Sequence, residues 1–317
     1  MDKHTNTIPT TCTTIIGTEL ANIEAVLTRK SLSDKGTYTR LCEQWLEQFL
    51  EGNSGRALDV SSYASALEMA AILADIQPGD EVVVPSYTYV TTVNAFALRG
   101  PVPVFVDLED ATMNIDASNH SQVAKRHELF ICGDTAMACM STYKGQMLGT
   151  IGNVGCLSFQ EKKNNTAGGQ GGALLINDPA LVERAEILYD HGTNRSHFMR
   201  SEVDRYQWLD LGLNATLSEL QAAFLYAHLQ AADCINARRR HIWGHYFVSL
   251  LPLVRKGYIT LPHAPDNTTH NANMFYIRLM GPTQRQDMIR HMASAKVQEV
   301  VIREVFAFWD ETAEGGI

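Results

Sequence analysis

Two lysines, Lys162 and Lys163, stand side by side between an apolar run (Val154, Cys156, Leu157, Phe159) and a polar, glycine-rich loop at 164–172. The stretch 154–178 reads VGCLSFQEKKNNTAGGQGGALLIND. A lysine held at a strand end inside a cleft can form a Schiff base with an aldehyde once desolvation lowers its pKa. The glycines at 168, 169, 171 and 172 would let backbone approach a ligand closely. The same residues also read as an ordinary hairpin loop with a solvated lysine pair, and spacing does not choose between the two lysines. No Gly-Lys-Ser/Thr is present, and Gly-Gly-Gln-Gly-Gly precedes a strand rather than a helix. The loop is therefore neither a P-loop nor a dinucleotide fingerprint.

The surrounding elements would hold such a lysine in an α/β frame. Residues 81–85 (EVVVP) read as a fully buried strand, 102–107 and 128–134 as further strands, and 154–159 and 173–176 as the pair around the lysines. Helices are predicted at 20–27, 40–50 (with Thr39 as cap), 62–75, 88–98, 122–127, from Asp178-Pro179 to about 191, and 218–234. Strands alternating with helices indicate a largely parallel sheet with helices packed on it. Asp134 closes the strand 128–134, at the end where open α/β sheets bind ligands; by itself it also reads as a turn or cap aspartate. Ala64 and Ser65 open an Ala-rich helix whose N-terminus suits a phosphate. After Pro252 the pattern changes to strands at 258–261 and 273–279 and a helix at 284–295, a smaller α+β unit. The predicted organisation is a leader at 1–14, a large domain at 15–235 and a small one at 236–317.

Composition narrows the partners. The chain has 317 residues and a net charge of −9, which argues against a nucleic-acid or anionic-membrane surface. It shows no apolar run long enough to cross a bilayer and no signal-peptide core in MDKHTNTIPTTCTT. The six cysteines form no CxxC pair, and Cys132, Cys139 and Cys156 lie in apolar stretches. A reduced cytoplasmic setting and no metal site follow as expectations. Arg238, Arg239 and Arg240 read as a solvated helix face.

The segment SFQEKKNNTAGGQGGALLIND resembles the cofactor-lysine segment of the DegT/DnrJ/EryC1/StrS sugar aminotransferases, and most of all the branch making dTDP-4-amino-4,6-dideoxygalactose. Five other stretches are similar in order and spacing: ALEMAAILADIQPGDEVVVPSYTYVTTVNAFALRG, FVDLEDATMNID, MSTYKGQMLGTIG, GTNRSHF and ELQAAFLYAHLQAAD. The resemblance implies the aspartate aminotransferase fold (fold type I) and the cofactor pyridoxal 5'-phosphate (PLP). It implies that Lys163 carries the cofactor, that Asp134 holds its pyridine nitrogen and that Tyr89 stacks on its ring. Ala64, Ser65 and Ser158 would hold the phosphate, with Asn214 reaching it from the partner subunit of a homodimer. Lys162 and Arg195 become contacts for the substrate diphosphate. The implied reaction is ping-pong transamination from glutamate to a dTDP-linked 4-keto-6-deoxyhexose, in cell-surface polysaccharide synthesis such as that of enterobacterial common antigen.

Several positions depart from that pattern. Only residues 117–132 separate Asp116 from Gly133, too few for the extra helix and interior strand of the family. Losing that strand should leave ladder groups unpaired or draw its neighbours together. Met137 replaces a glutamine or histidine, Ala64 a threonine, Asp34-Lys35-Gly36 a Gly-Asp-Gly, and Asn273 a histidine. After Lys296 the match fades, and the chain stops at Ile317, short of the family's length. These departures support a second reading, a non-catalytic relative acting as a binding or assembly partner. A PLP sugar dehydratase on the same fold is disfavoured, because the lysine is present.

Overall fold

The computed structural model describes residues 7–33, 35–50, 55–279 and 281–298. Asp34, part of the predicted leader and the stretch 299–317 lie outside the described residues. In chain order the elements are α1 (Glu19–Arg29), α2 (Thr37–Glu47), β1 (Arg56–Val60), α3 (Tyr63–Leu73), β2 (Glu81–Pro85), α4 (Val90–Ala97), β3 (Val102–Val106), α5 (Ala117–Arg126), β4 (Cys132–Asp134), β5 (Thr142–Tyr143) and β6 (Gln146–Met147). They continue with β7 (Val154–Ser158), β8 (Gly172–Ile176), α6 (Val182–Tyr189), α7 (Arg195–Met199), α8 (Glu219–Gln230), α9 (Ala232–Arg255), β9 (Ile259–Thr260), β10 (Thr268–Thr269), β11 (Arg278–Leu279) and α10 (Pro282–Ser294).

The central sheet has the order β1-β8-β7-β4. β4 and β7 run parallel, and β8 is antiparallel to both β1 and β7. Period-2 alternation buries both faces. Leu58, Val60, Val154, Cys156, Leu174 and Ile176 pack with α3 and α6 on one side. Ala57, Leu157, Ala173 and Leu175 pack with α2 and α8 on the other. The outcome is three layers, helix–sheet–helix, with every residue of β7 and β8 buried. α3 forms because Ala, Leu and Met fill its length and Ser62 caps it, the Ser62 hydroxyl accepting from the Ser65 N–H at 3.1 Å.

β2 and β3 pair with each other in parallel but form a sheet of their own. This answers the question posed by the short stretch before Gly133. The neighbours of the missing strand have not closed up; β4 ends the central sheet and β2–β3 stand apart. The expectation of a fully buried β2 is overturned for the same reason. Only Val84 is buried, and Val83 is 52% exposed.

Other boundaries moved for local reasons. Thr39 is not the cap of α2; the helix starts at Thr37 behind Gly36. The Glu219 carboxylate, reaching over from α8, accepts from the backbone of Tyr38 (3.0 Å) and Thr39 (2.9 Å) and from the Thr39 hydroxyl (2.6 Å). A Cβ at Gly36 would overlap that carboxylate, so the glycine is required by packing. The predicted helix 218–234 is two helices, breaking at Ala231, and α9 continues through Pro252 to Arg255. The segment after Asp178 starts with a 3₁₀ turn before α6. Past α9, β9 pairs with β11, while β10 returns to β5 in a three-stranded sheet.

Candidate active site

Asp134 is the last residue of β4, opposite Cys156 on the parallel strand β7. Lys163 follows β7 in a tight turn, its N–H donating to the Gln160 carbonyl at 2.9 Å. The two side chains therefore come from adjacent strand ends. Lys163 is half-buried, and burial pulls its pKa down, with the charge of Asp134 acting in the opposite sense. Lys162 is exposed, and its backbone N–H donates to Gln160 Oε1. Burial thus separates the two lysines that spacing left equivalent.

Asp134 is exposed at the strand end and held in place on both oxygens. The Thr92 hydroxyl donates to Oδ2 at 2.6 Å and the Ala136 N–H to Oδ1 at 3.3 Å. Thr92 in turn accepts from Thr88, two residues before α4, at 3.0 Å. Neither threonine was singled out in the sequence; Thr88 precedes α4 and Thr92 lies in its first turn.

The N-terminus of α3 lies against the beginning of β8. A Cβ at Gly172 would come within 2.9 Å of the Ser62 backbone and of the Leu157 carbonyl, so this approach needs glycine. Gly172 pairs with both Val60 and Ser158. That register puts Ser158, 4% exposed, next to the serines of the helix N-terminus. Ser65 Oγ is 3.2 Å from Ser61 Oγ and 3.0 Å from Ser62 Oγ. Ala64 follows Tyr63, the first residue of α3. A cluster of hydroxyls at the positive end of a helix suits a phosphate.

Tyr63 is a residue sequence reasoning missed. Its hydroxyl is buried and lies against Asp134. Burial, and then the nearby Asp134 charge, push its pKa well up. This buried hydroxyl adds a polar group beside the strand-end carboxylate.

The remaining predicted residues lie further out. Tyr89 caps α4 with its ring 74% exposed. Asn214 is exposed, its backbone bridged to Asp190. Arg195 opens α7, 4.0 Å from Asp190, a carboxylate also engaged by Lys35 and Ser196. Lysine, aspartate, serines and helix N-terminus thus converge, whereas Tyr89, Asn214 and Arg195 do not join them within one chain. The residues that converge fit a cofactor with an aldehyde, a basic ring nitrogen and a phosphate.

The model of the DegT/DnrJ/EryC1/StrS aminotransferase family matches residues 13–122 and 118–308. The chain belongs to this aminotransferase family. Among relatives of this DegT/DnrJ/EryC1/StrS member, EryC1, the erythromycin biosynthesis sensory transduction protein of Saccharopolyspora erythraea, is 30% identical over 274 residues, 78% of this chain and 71% of its own. GDP-perosamine synthase of Escherichia coli O157:H7 is 28% identical over 92% of this chain and 83% of its own. The dTDP-3-amino-3,6-dideoxy-alpha-D-galactopyranose transaminase of Aneurinibacillus thermoaerophilus is 29% identical over 77% and 70%. The crystal structure of S. venezuelae DesV in complex with a ketimine intermediate superposes with a TM-score of 0.83 at 25% identity, covering 98% of this chain and 88% of DesV. Fold and family make the chain a PLP-dependent, fold type I aminotransferase of the nucleotide-sugar group. Among the described residues no helix is long and apolar enough to cross a membrane.

Proposed function

We propose that this chain transfers the amino group of glutamate to a dTDP-linked 4-keto-6-deoxyhexose, giving the 4-amino-4,6-dideoxygalactose nucleotide. The amine replaces the 4-keto oxygen, and glutamate leaves as 2-oxoglutarate. The observation carrying the reading is the half-buried Lys163, its pKa drawn down by burial, at the strand end next to that of Asp134.

PLP, when bound, supplies an aldehyde carbon and a ring that withdraws electrons from the donor's Cα. Lys163 would hold that aldehyde through Nζ, and as a free amine it would take the proton from the donor's Cα; its lowered pKa leaves more of it neutral near pH 7 and so able to accept. Asp134, fixed by Thr92, would keep the proton on the ring nitrogen. Ser65, Ser158 and the N-terminal turn at Ala64 would bind the phosphate. Tyr89, exposed at the start of α4, would have to turn inward to stack on the ring face.

The other roles need a second subunit or the substrate. Tyr206, Trp208, Leu209 and Leu211, all more than half exposed, surround the segment leading to Asn214. Covering that apolar group by a second copy would bring Asn214 to the neighbouring phosphate in a homodimer. Lys162 is exposed and free to meet the substrate diphosphate; Arg195 is the second candidate. The large domain is assigned to 15–235 and the small one to 236–317, with α9 running across the division. Cytoplasmic polysaccharide synthesis of the enterobacterial common antigen type is the proposed setting.

The separation of β2–β3 from the central sheet favours the second reading, a non-catalytic relative that binds or assembles. One experiment decides. The full chain is mixed with PLP, and its visible absorption is followed before and after glutamate in wild type, Lys163→Ala and Lys162→Ala. A band lost only in Lys163→Ala and bleached by glutamate supports the enzyme. Absence of the band in folded wild type leaves the non-catalytic relative. Amination of a dTDP- but not a GDP-4-keto-6-deoxyhexose, read by product mass, tests the sugar.

A further inference from the structure

We propose that a lattice of four asparagines, the buried Asn164, Asn236 and Asn271 and the half-buried Asn273, positions Lys163 against Asp134 by tying the loop after one to the loop after the other. The inference rests on the assignment of Lys163 and Asp134 as the reacting pair.

Asn164 is joined to Lys163 by one peptide bond. Its Nδ2 donates to Asn236 Oδ1 at 2.7 Å and to the Asn271 carbonyl at 2.8 Å, and its Oδ1 accepts from Asn273 Nδ2 at 2.8 Å. Asn271 reaches the other way. Its Nδ2 donates to the carbonyls of Met137 (2.8 Å) and Cys139 (2.9 Å), in the loop that follows Asp134. Its own N–H donates to the Ser141 hydroxyl at 3.1 Å, and its Oδ1 accepts from the Asn273 N–H at 3.1 Å. Asn236, at the start of α9, completes the circuit by donating to Met140 Sδ at 3.4 Å. The lysine loop, the aspartate loop, α9 and the segment before β11 thus meet at one point.

The donor and acceptor logic closes without a free choice. Backbone carbonyls only accept, so the amide groups of Asn164 and Asn271 must face the carbonyls they touch. Asn164 Oδ1 and Asn236 Oδ1 are then the acceptors left for Asn273 and Asn164. Asn164, Asn236 and Asn271 are each 4% exposed or less, so breaking one link leaves partners unpaired away from water. A lattice of this kind has one low-energy arrangement, as the separation of a lysine from a carboxylate requires. Asp134 is the charged group whose field reaches Lys163. Tyr63 from α3 lies near Asp134, and Thr92 from α4 holds its Oδ2.

The neighbouring Asn165 provides the control. It is as buried as Asn164, but its Nδ2 donates to the His228 carbonyl of α8 at 3.1 Å, away from the aspartate loop.

The test is trace acetylation of the full chain stripped of cofactor, with acetic anhydride across a pH series. Lys163 and the exposed Lys162 are quantified by mass spectrometry in the same digest. In wild type the labelling midpoint of Lys163 lies below that of Lys162. In Asn271→Ala the freed loops admit water to the amine; burial is the dominant cause of the lowered pKa, so the midpoint rises toward that of Lys162 and the labelling rate of Lys163 on the acid side of it falls. Asn273→Ala, which removes a half-buried link, shifts it in the same direction by less and serves where Asn271→Ala does not fold. Asn165→Ala lowers thermal stability with the midpoint unmoved. An unmoved midpoint in folded Asn271→Ala or Asn273→Ala overturns the proposal, and so does an equal shift in Asn165→Ala. Coincident Lys162 and Lys163 midpoints in wild type would instead overturn the assignment of Lys163 itself.

Discussion

Thr92 connects the helix that follows β2 to the carboxylate at the end of β4, and it is 4% exposed. A hydroxyl donating to a charged acceptor contributes more than a neutral pair. Thr92→Val, nearly the same in shape, should leave the fold intact and weaken PLP affinity roughly tenfold, about 1.4 kcal/mol, in a fluorescence titration. Unchanged affinity would mean that Asp134 needs no such support. At this scale, the apolar runs before Lys162-Lys163 and Asp134 marked two strand ends, while the choice of Lys163 and the role of Asp134 came from the family resemblance. Tyr63 was not legible, because a tyrosine opening a helix has no spacing that marks it. The asparagines at 236 and 271 were invisible for another reason: they become neighbours of the lysine loop only through chain crossings that no local pattern encodes.

β1 and α2 share an unusual accumulation of buried acid. Arg56 pairs with Glu43 at 3.2 Å, with Glu186 at 3.5 Å and with Glu47. Burial, opposed by Arg56, lifts the Glu43 pKa to about 7. Asp59, fully buried, is pushed well up by burial and then by Glu43. A carboxyl whose folded pKa is raised holds its proton longer in the native state than in the unfolded chain. Glu43 therefore costs nothing below about pH 4.5 and its full penalty, on the order of 3 kcal/mol, above about pH 7. The melting temperature should fall as pH rises from 5 to 8, and Glu43→Gln should flatten that slope in a calorimetric pH series. A steep slope retained in Glu43→Gln would assign the effect to Asp59.

Gly172 belongs to this scale too. Gly172→Ala would push the N-terminal turn of α3 away from Ser158 and should lower PLP affinity more than it lowers the melting temperature, measured side by side. The elements themselves were largely legible, since strand and helix periods differ. One exception had a distant cause, since Glu219 supplies the cap for α2, and another a local one, since α9 runs on past Pro252 for only three residues.

The layered order of the whole molecule followed from alternation and from the resemblance, and the break in the sheet from the short stretch before Gly133. Which way the neighbours would respond was not legible, because a missing strand says nothing about the helices that hold the survivors apart. Sedimentation should give twice the monomer mass, and Trp208→Ser, which removes a side chain 78% exposed in the single chain, should shift it toward monomer. A monomeric wild type would remove Asn214 from the phosphate site.

The separation of β2–β3 from β4 also has a thermal consequence. A continuous ladder transmits melting from strand to strand. Here α4 joins the two pieces, packing on α3 and hydrogen-bonding through Thr92 to the end of β4. Such a seam lowers cooperativity: the calorimetric enthalpy should exceed the van't Hoff enthalpy, the outer pair and α4 melting ahead of the four-stranded core. Heat would then dismantle Asp134's support while the Lys163 turn remained folded.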